Sequence, residues 1–350
     1  MIDEKKLYDA YRNDGIYSLQ LEVGDQCFQN CIYCYMNAVE HQKNTLTDVH
    51  IRNILSDAQR LGIIAIEWLG GEPLLRSSIF SHMEYARELG FRNNIWTGGL
   101  PLKDYEVAEK TAILTEPGLI SIHLSTIDPE EYEILHPGRK NTDINDIIQG
   151  LTHLLDYGYN PDHILNSVTF TGLQTADDMI KTMDFFWDHF QVKTSLNIYH
   201  TYLRPGTSKE ELYRFIPNKQ EVAKVYKKYE KQYGNDQLPM NCVNKQYCSA
   251  TVAILCDGSV TPCATIREPK APTIHRDGKF YDIIQREKER LIFKKLKNPD
   301  RIIDVCRGCH LSDSCWGCRS RSYAAGFGLY GPDPRCFRMK KHVRLEDSHA

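Results

Sequence analysis

Three cysteines, Cys27, Cys31 and Cys34, stand at CxxxCxxC spacing in the stretch Cys27-Phe-Gln-Asn-Cys31-Ile-Tyr-Cys34. Thiolates this close in one loop can anchor three irons of a [4Fe-4S] cube and leave the fourth iron open, whereas a closed structural zinc site takes a fourth nearby ligand. An open iron can bind and reduce a ligand, so the spacing points to redox chemistry at that cluster. A second group of thiols follows far downstream, at Cys242, Cys248, Cys256, Cys263, Cys306, Cys309, Cys315, Cys318 and Cys336. The cysteine-free interval between Cys34 and Cys242 marks a division into two units. Zinc-ribbon pairing is the plainer alternative for Cys306-x2-Cys309 and Cys315-x2-Cys318.

The composition sets the surroundings for these thiols. The chain has 350 residues, 41% hydrophobic and 25% charged, with a net charge of −3, as an ordinary globular protein does. That charge gives no reason to expect a nucleic-acid or anionic-membrane partner. The first thirty residues lack a basic region followed by an apolar run, and no stretch is apolar enough for a membrane span. A cytoplasmic location is expected. Twelve cysteines in a reducing compartment read as metal ligands rather than disulfides.

Something must hold these groups, and the chain's periodicities supply it. Residues Gly15 to Gly24 alternate, with Tyr17, Leu19, Leu21 and Val23 apolar, and predict strand one just before the cysteine loop. Thr47-Asp48 caps a helix through Leu61, with Ile51, Ile54, Leu55 and Ala58 on one face. The apolar run from Ile63 to Leu69 predicts a strand covered on both faces, ending in Gly70-Gly71-Glu72-Pro73. Further strands are predicted over 94–97, 119–125, 164–170 and 194–200, alternating with helices over 77–89, 104–114, 144–157, 176–190 and 219–233. Six strand-then-helix units predict a parallel α/β sheet, open or curled into a partial (β/α)6 barrel, with functional groups at the strands' C-terminal ends. Beyond it, 252–258 predicts a hairpin strand and turn, with Cys256 as a buried small hydrophobe or a substrate-facing thiol. Residues 280–296 predict a solvated basic amphipathic helix.

CxxxCxxC after strand one, Tyr33 before the last cysteine, and Gly70-Gly71-Glu72-Pro73 after strand two together resemble a radical S-adenosylmethionine (SAM) enzyme over about residues 15 to 235. The resemblance implies that the open iron binds the amino and carboxylate groups of SAM. Backbone groups of Gly70, Gly71 and Glu72 would hold the same amino group. Further SAM contacts carried over are Ser125 on strand four, Arg139 for the carboxylate, and Asn166 and Thr169 on strand five for the ribose or adenine. Each of these four also reads as an ordinary strand or turn residue. The family's frequent Thr-Asn-Gly stands here as Thr97-Gly98-Gly99, so its asparagine contact is absent.

The downstream cysteines resemble the SPASM extension of such enzymes, which holds two auxiliary [4Fe-4S] clusters. By that resemblance one cluster takes Cys242, Cys248, Cys263 and Cys318, and the other Cys306, Cys309, Cys315 and Cys336. The Cys315 to Cys318 spacing is one residue shorter than the commonest pattern. The expected organisation is a radical SAM partial barrel over 1–235, a SPASM domain over 236–340 and a tail over 341–350. The implied activity is anaerobic. A flavodoxin- or ferredoxin-type donor reduces the first cluster, SAM breaks to a 5′-deoxyadenosyl radical, and the auxiliary clusters take an electron from the substrate radical. The implied substrate is a peptide or protein side chain (crosslink, dehydrogenation or decarboxylation), or a small molecule such as a haem-like precursor. Strand one near residue 17 leaves no room for a leader-binding domain, which weakens the peptide reading without excluding it, because a leader-peptide-binding protein can be separate. Tyr199, Tyr202 and Arg204 are pocket candidates. A non-catalytic iron–sulfur or zinc protein is the alternative from another class.

Overall fold

The computed structural model describes residues 2–36, 38, 45–199, 208, 213–234, 238, 243–298, 301 and 306–338. The expected boundary at 235, the cysteine Cys242, the pocket candidates Tyr202 and Arg204 and the tail from 341 lie outside them. Strands β1 (Ser18–Glu22), β2 (Ala65–Leu69), β3 (Arg92–Thr97), β4 (Ile120–Ile122), β5 (Ile164–Phe170) and β6 (Lys193–Ile198) pair in parallel in chain order. Helices α1 (Glu4–Arg12), α2 (Asp48–Arg60), α3 (Ile79–Glu88), α4 (Tyr105–Thr115), α5 (Pro129–Leu135), α6 (Thr142–Asp156), α7 (Ala176–Phe190) and α8 (Lys219–Tyr233) alternate with them. This is the parallel α/β partial barrel that the periodicities predict. The C-terminal part adds α9 (Lys245–Cys248), β7 (Thr251–Ile254), β8 (Val260–Thr261), α10 (Phe280–Leu291) and α11 (Arg319–Ala324). β7 joins the barrel sheet parallel to β1, and β8 turns back antiparallel, giving the order β6-β5-β4-β3-β2-β1-β7-β8.

Side-chain parity divides the sheet into two unlike faces. Leu19, Leu21, Ile66, Trp68, Ile95, Ile120, Ile122 and Ile164 enter one cluster with α2 residues Ile51, Ile54, Leu55 and Ala58. Val168, Phe170, Leu196 and Ile198 enter a second with α7 and α8. Each fully buried aliphatic of this layer contributes on the order of 1.5–3 kcal/mol, so helix-on-sheet packing holds the strands. Local signals fix the helix starts: Thr47 and Thr175 form capping boxes with His50 and Asp178.

Four elements differ from the sequence expectations. Helices α1 and α5 were not anticipated; α5 is a single short stretch begun by Asp128 and Pro129, whose apolar periodicity is too brief to register. β4 stops at Ile122, so His123, Leu124 and Ser125 lie beyond the ladder. α10 is not a solvated helix: Phe280, Ile283, Ile284 and Leu291 are buried in the main cluster, and Tyr281 N donates to Asp57 of α2 at 3.1 Å. It ends at Leu291, before Phe293 takes left-handed backbone (φ 51°). Cys256 lies in the β7–β8 turn and is only partly covered, its amide donating to Glu22 at 3.0 Å.

Candidate active site

The cysteine loop leaves β1 and is fastened to the neighbouring strand ends. Gly71 N donates to Gly24 O at 3.0 Å and Glu72 N to Gln26 O at 2.7 Å. A Cβ at Gly71 would stand 2.2 Å from Gln26 O, and one at Gly70 would stand 2.5 Å from Gly24 O. The two glycines thus let β2's end dock on the chain's own cysteine loop. Those amides are spent on the loop, so the groups the turn can offer a ligand are its carbonyls. On the other side Ile32 N donates to Leu135 O at 3.0 Å and Asn30 Nδ2 to Pro137 O at 2.8 Å.

Cys27, Cys31, Cys34, Tyr33, Gly70, Gly71 and Thr169 all line one cavity of about 280 Å³ above the sheet's inner face. Ser121, His123, Ser167, Ser195 and Asn197 line it as well, brought there by the same parity that sends their neighbours to the helices. Burial and the Glu72 charge push the Cys27 thiol up to about 12, so metal ligation there must release a proton.

Glu72 is buried beside the cavity rather than in its wall. Its carboxylate accepts from Leu74 N at 3.1 Å, Thr97 Oγ1 at 2.9 Å and Gly98 N at 2.7 Å, stapling β2's end to β3's. Burial raises it to about 7. Glu72→Ala should therefore lower stability by about 1–3 kcal/mol through the unpaired donors. It should also loosen the thiol loop, read as a lower urea midpoint together with reduced iron uptake.

Besides Glu72, three expected SAM contacts fall outside the cavity wall. Asn166 has the wrong parity on β5; its amide brackets the backbone of Leu124, Oδ1 accepting at 3.1 Å and Nδ2 donating at 3.0 Å. Ser125 is buried behind Tyr33, accepting from Tyr33 Oη at 3.2 Å and Thr169 N at 3.0 Å. Arg139 sits in the α5–α6 turn, its Nε donating to Asp143 at 2.7 Å. Tyr199 is buried against Phe215, in a cluster that includes Tyr33, and also lies outside the wall.

His123, His136 and Gln29 are the residues the sequence reading missed. Tyr33 Oη lies 2.8 Å from His123 Nε2 and 3.1 Å from His136 Nε2. Burial pushes these imidazoles down to about 4 and about 3, so both are neutral near pH 7. The Cys31 thiol and ligand nitrogens of both histidines lie within 4.8 Å of one another, a donor set that also suits a single ion. Parity from Ser121 would have placed His123 in the cavity.

The three thiols share a cavity with neutral polar groups and a turn offering carbonyls, which fits a cluster with one open iron and an amino-acid ligand on it. Cys263 and Tyr247 line the same cavity. Cys248 is raised by burial and by the charges of Cys263 and Cys318, while Cys306 and Cys315 are both raised to about 11 by burial, with Cys336 nearby. The short Cys315 to Cys318 turn is accommodated by Gly317 (φ +66°), whose amide donates to Cys315 Sγ at 3.2 Å.

Residues 21–186 match the family model described as Radical SAM superfamily. A probable GTP 3′,8-cyclase from Methanothermobacter thermautotrophicus is 30% identical over 179 residues, covering 50% of this chain and 53% of that relative. The chain spans about half the length of this relative and of the cyclase relatives it matches from Methanothermobacter marburgensis and Pyrobaculum aerophilum. In fold it is similar to native anSMEcpe with bound AdoMet, at 17% identity and TM-score 0.63, over 87% of this chain and 89% of that one. It is likewise similar to Streptococcus suis SuiB bound to precursor peptide SuiA, at 15% identity and TM-score 0.64, over 94% and 78%. The residues that this radical SAM model matches hold the thiol loop, the glycine turn and strands β2 to β5, which carry most of the cavity.

Proposed function

We propose that this chain is a radical SAM oxidase acting on an uncharged side chain of a peptide. The observation that carries the substrate class is the cavity wall: among the described residues it contains no Lys, Arg, Asp or Glu. A nucleoside triphosphate of the kind named in the cyclase relatives needs cations for its phosphates. Serine hydroxyls, an asparagine amide, Trp96 and Tyr35 instead suit a neutral group with an apolar flank. Likeness to a peptide-bound neighbour in fold agrees with this reading.

In this account Cys27, Cys31 and Cys34 would hold three irons, and a carbonyl of the Gly70-Gly71 turn would accept one N–H of the SAM amino group. When bound, the cluster and SAM supply hydrogen-atom abstraction from an unactivated C–H bond. Tyr35, Met36 and Trp96 exclude water from that step. The sets Cys242, Cys248, Cys263, Cys318 and Cys306, Cys309, Cys315, Cys336 would hold SPASM-type clusters as electron acceptors, with Cys263 in the cavity wall as the near edge. The reading also implies a reducing compartment, a flavodoxin- or ferredoxin-type donor and a separate leader-binding protein. Among the described residues no helix is long and apolar enough to cross a membrane.

The test is anaerobic turnover of reconstituted protein with GTP in one arm and, in the other, a short peptide encoded beside the gene. Loss of two hydrogens from the peptide supports the proposal; a cyclised nucleotide overturns the substrate class. Ser167 donates to or accepts from Ser121 at 2.6 Å on the cavity floor. Ser167→Leu should fill that floor and cut peptide modification at least tenfold while SAM cleavage continues uncoupled, measured as 5′-deoxyadenosine per modified peptide.

A further inference from the structure

Gln29 lies two residues before Cys31, is 4% exposed and lines the cavity. Its Nε2 donates to Gly98 O at 2.9 Å. A Cβ at position 98 would stand 2.4 Å from Gln29 Oε1 and 2.5 Å from its Cδ. The Gln29 amide therefore fills the volume that any side chain at 98 would take, and glycine there is a condition for its placement. Among the described contacts, the donor to Gln29 Oε1 is the Cys31 thiol, at 3.9 Å. That donor vanishes when Cys31 ligates iron, because the bound form is the thiolate. A buried amide oxygen of a cavity-lining residue is then left with its donor gone, a state that demands a new donor.

We propose that Gln29 Oε1 accepts a hydrogen bond from one N–H of the amino group of bound SAM, making Gln29 a cofactor-binding residue. The proposal rests on the radical SAM site described above. Loop and strand end arrive together through the Gln29–Gly98 contact, so the acceptor is placed before the ligand arrives.

Equilibrium SAM binding to reconstituted, unreduced protein, with iron content and thermal midpoint measured alongside, tests this. Gln29→Ala should weaken SAM binding about tenfold or more with iron content unchanged. Gly98→Asn alone should lower the thermal midpoint, since its side chain meets Gln29. Gly98→Asn placed in the Gln29→Ala background should regain both stability and SAM affinity, because an amide returns to the same volume. A Gln29→Ala protein that binds SAM as the wild type does overturns the assignment. So does a double variant that recovers stability without affinity, which would make Gln29 a packing residue only. Wild-type protein that holds its iron and binds no SAM overturns the cofactor reading along with it.

Discussion

Cys31→Ala is expected to reduce reductive SAM cleavage to the uncatalysed background while the downstream thiols keep their metal. Among the described residues, the donors grouped with the Cys31 thiol within 4.8 Å are the neutral imidazoles of His123 and His136, and the other cysteines of the cavity wall are Cys27, Cys34 and Cys263. Two thiols with two imidazoles suit a single tetrahedral ion better than a cube with an open iron. Iron analysis should therefore show a loss of about four irons per chain. Cleavage that persists at wild-type rate in this variant would mean the cluster site has been misplaced.

Asp333→Ala is expected to cost about 3–5 kcal/mol, because it removes the carboxylate that offsets the charge of the buried Arg321. Arg321 is 2% exposed and Asp333 4%. Asp333 accepts from Arg321 Nη2 at 2.6 Å, Cys318 N at 2.8 Å and Arg335 N at 3.0 Å, so it also sets the backbone at a downstream cysteine. The Arg321 guanidinium and these amides overcome burial and hold the carboxyl down to about 2. A depressed carboxylate stabilises the fold above its unfolded value, and that contribution is lost as pH falls from about 4 towards 2. Urea midpoints of wild type and Asp333→Asn should therefore differ widely at pH 7 and converge in strong acid. Arg321→Met combined with Asp333→Leu should recover much of the loss, since the pair is replaced by apolar packing. Equal midpoints for wild type and Asp333→Ala at pH 7 would contradict this.

The order of the barrel was legible because its signals are local. β5, α7 and α8 run over the ranges that their periodicity predicts, with Thr175 and Asn218 capping the two helices. The thiol loop and glycine turn were legible by spacing and by their place at strand ends. The inner face was not, since a polar residue on alternate strand positions looks the same whether it meets solvent or a cavity. Ser121, Ser167, Ser195 and Asn197 therefore passed as ordinary strand residues, while Asn166 was chosen one position off the cavity parity. Arg139 is carried over for the SAM carboxylate by resemblance, although Asp143 at i+4 is a visible partner on the turn into α6. Gln29 and Gly98 are 69 residues apart, and β7 meets β1 across most of the chain, so neither contact has a local signature.

The central claim is that Cys27, Cys31 and Cys34 carry a cluster that reduces SAM. The most direct measurement reconstitutes the chain anaerobically with iron and sulfide, adds dithionite and SAM, and follows 5′-deoxyadenosine and methionine. The account predicts both products, formed in equal amounts and dependent on reductant. Intact SAM beside a fully loaded, reduced loop cluster would contradict it.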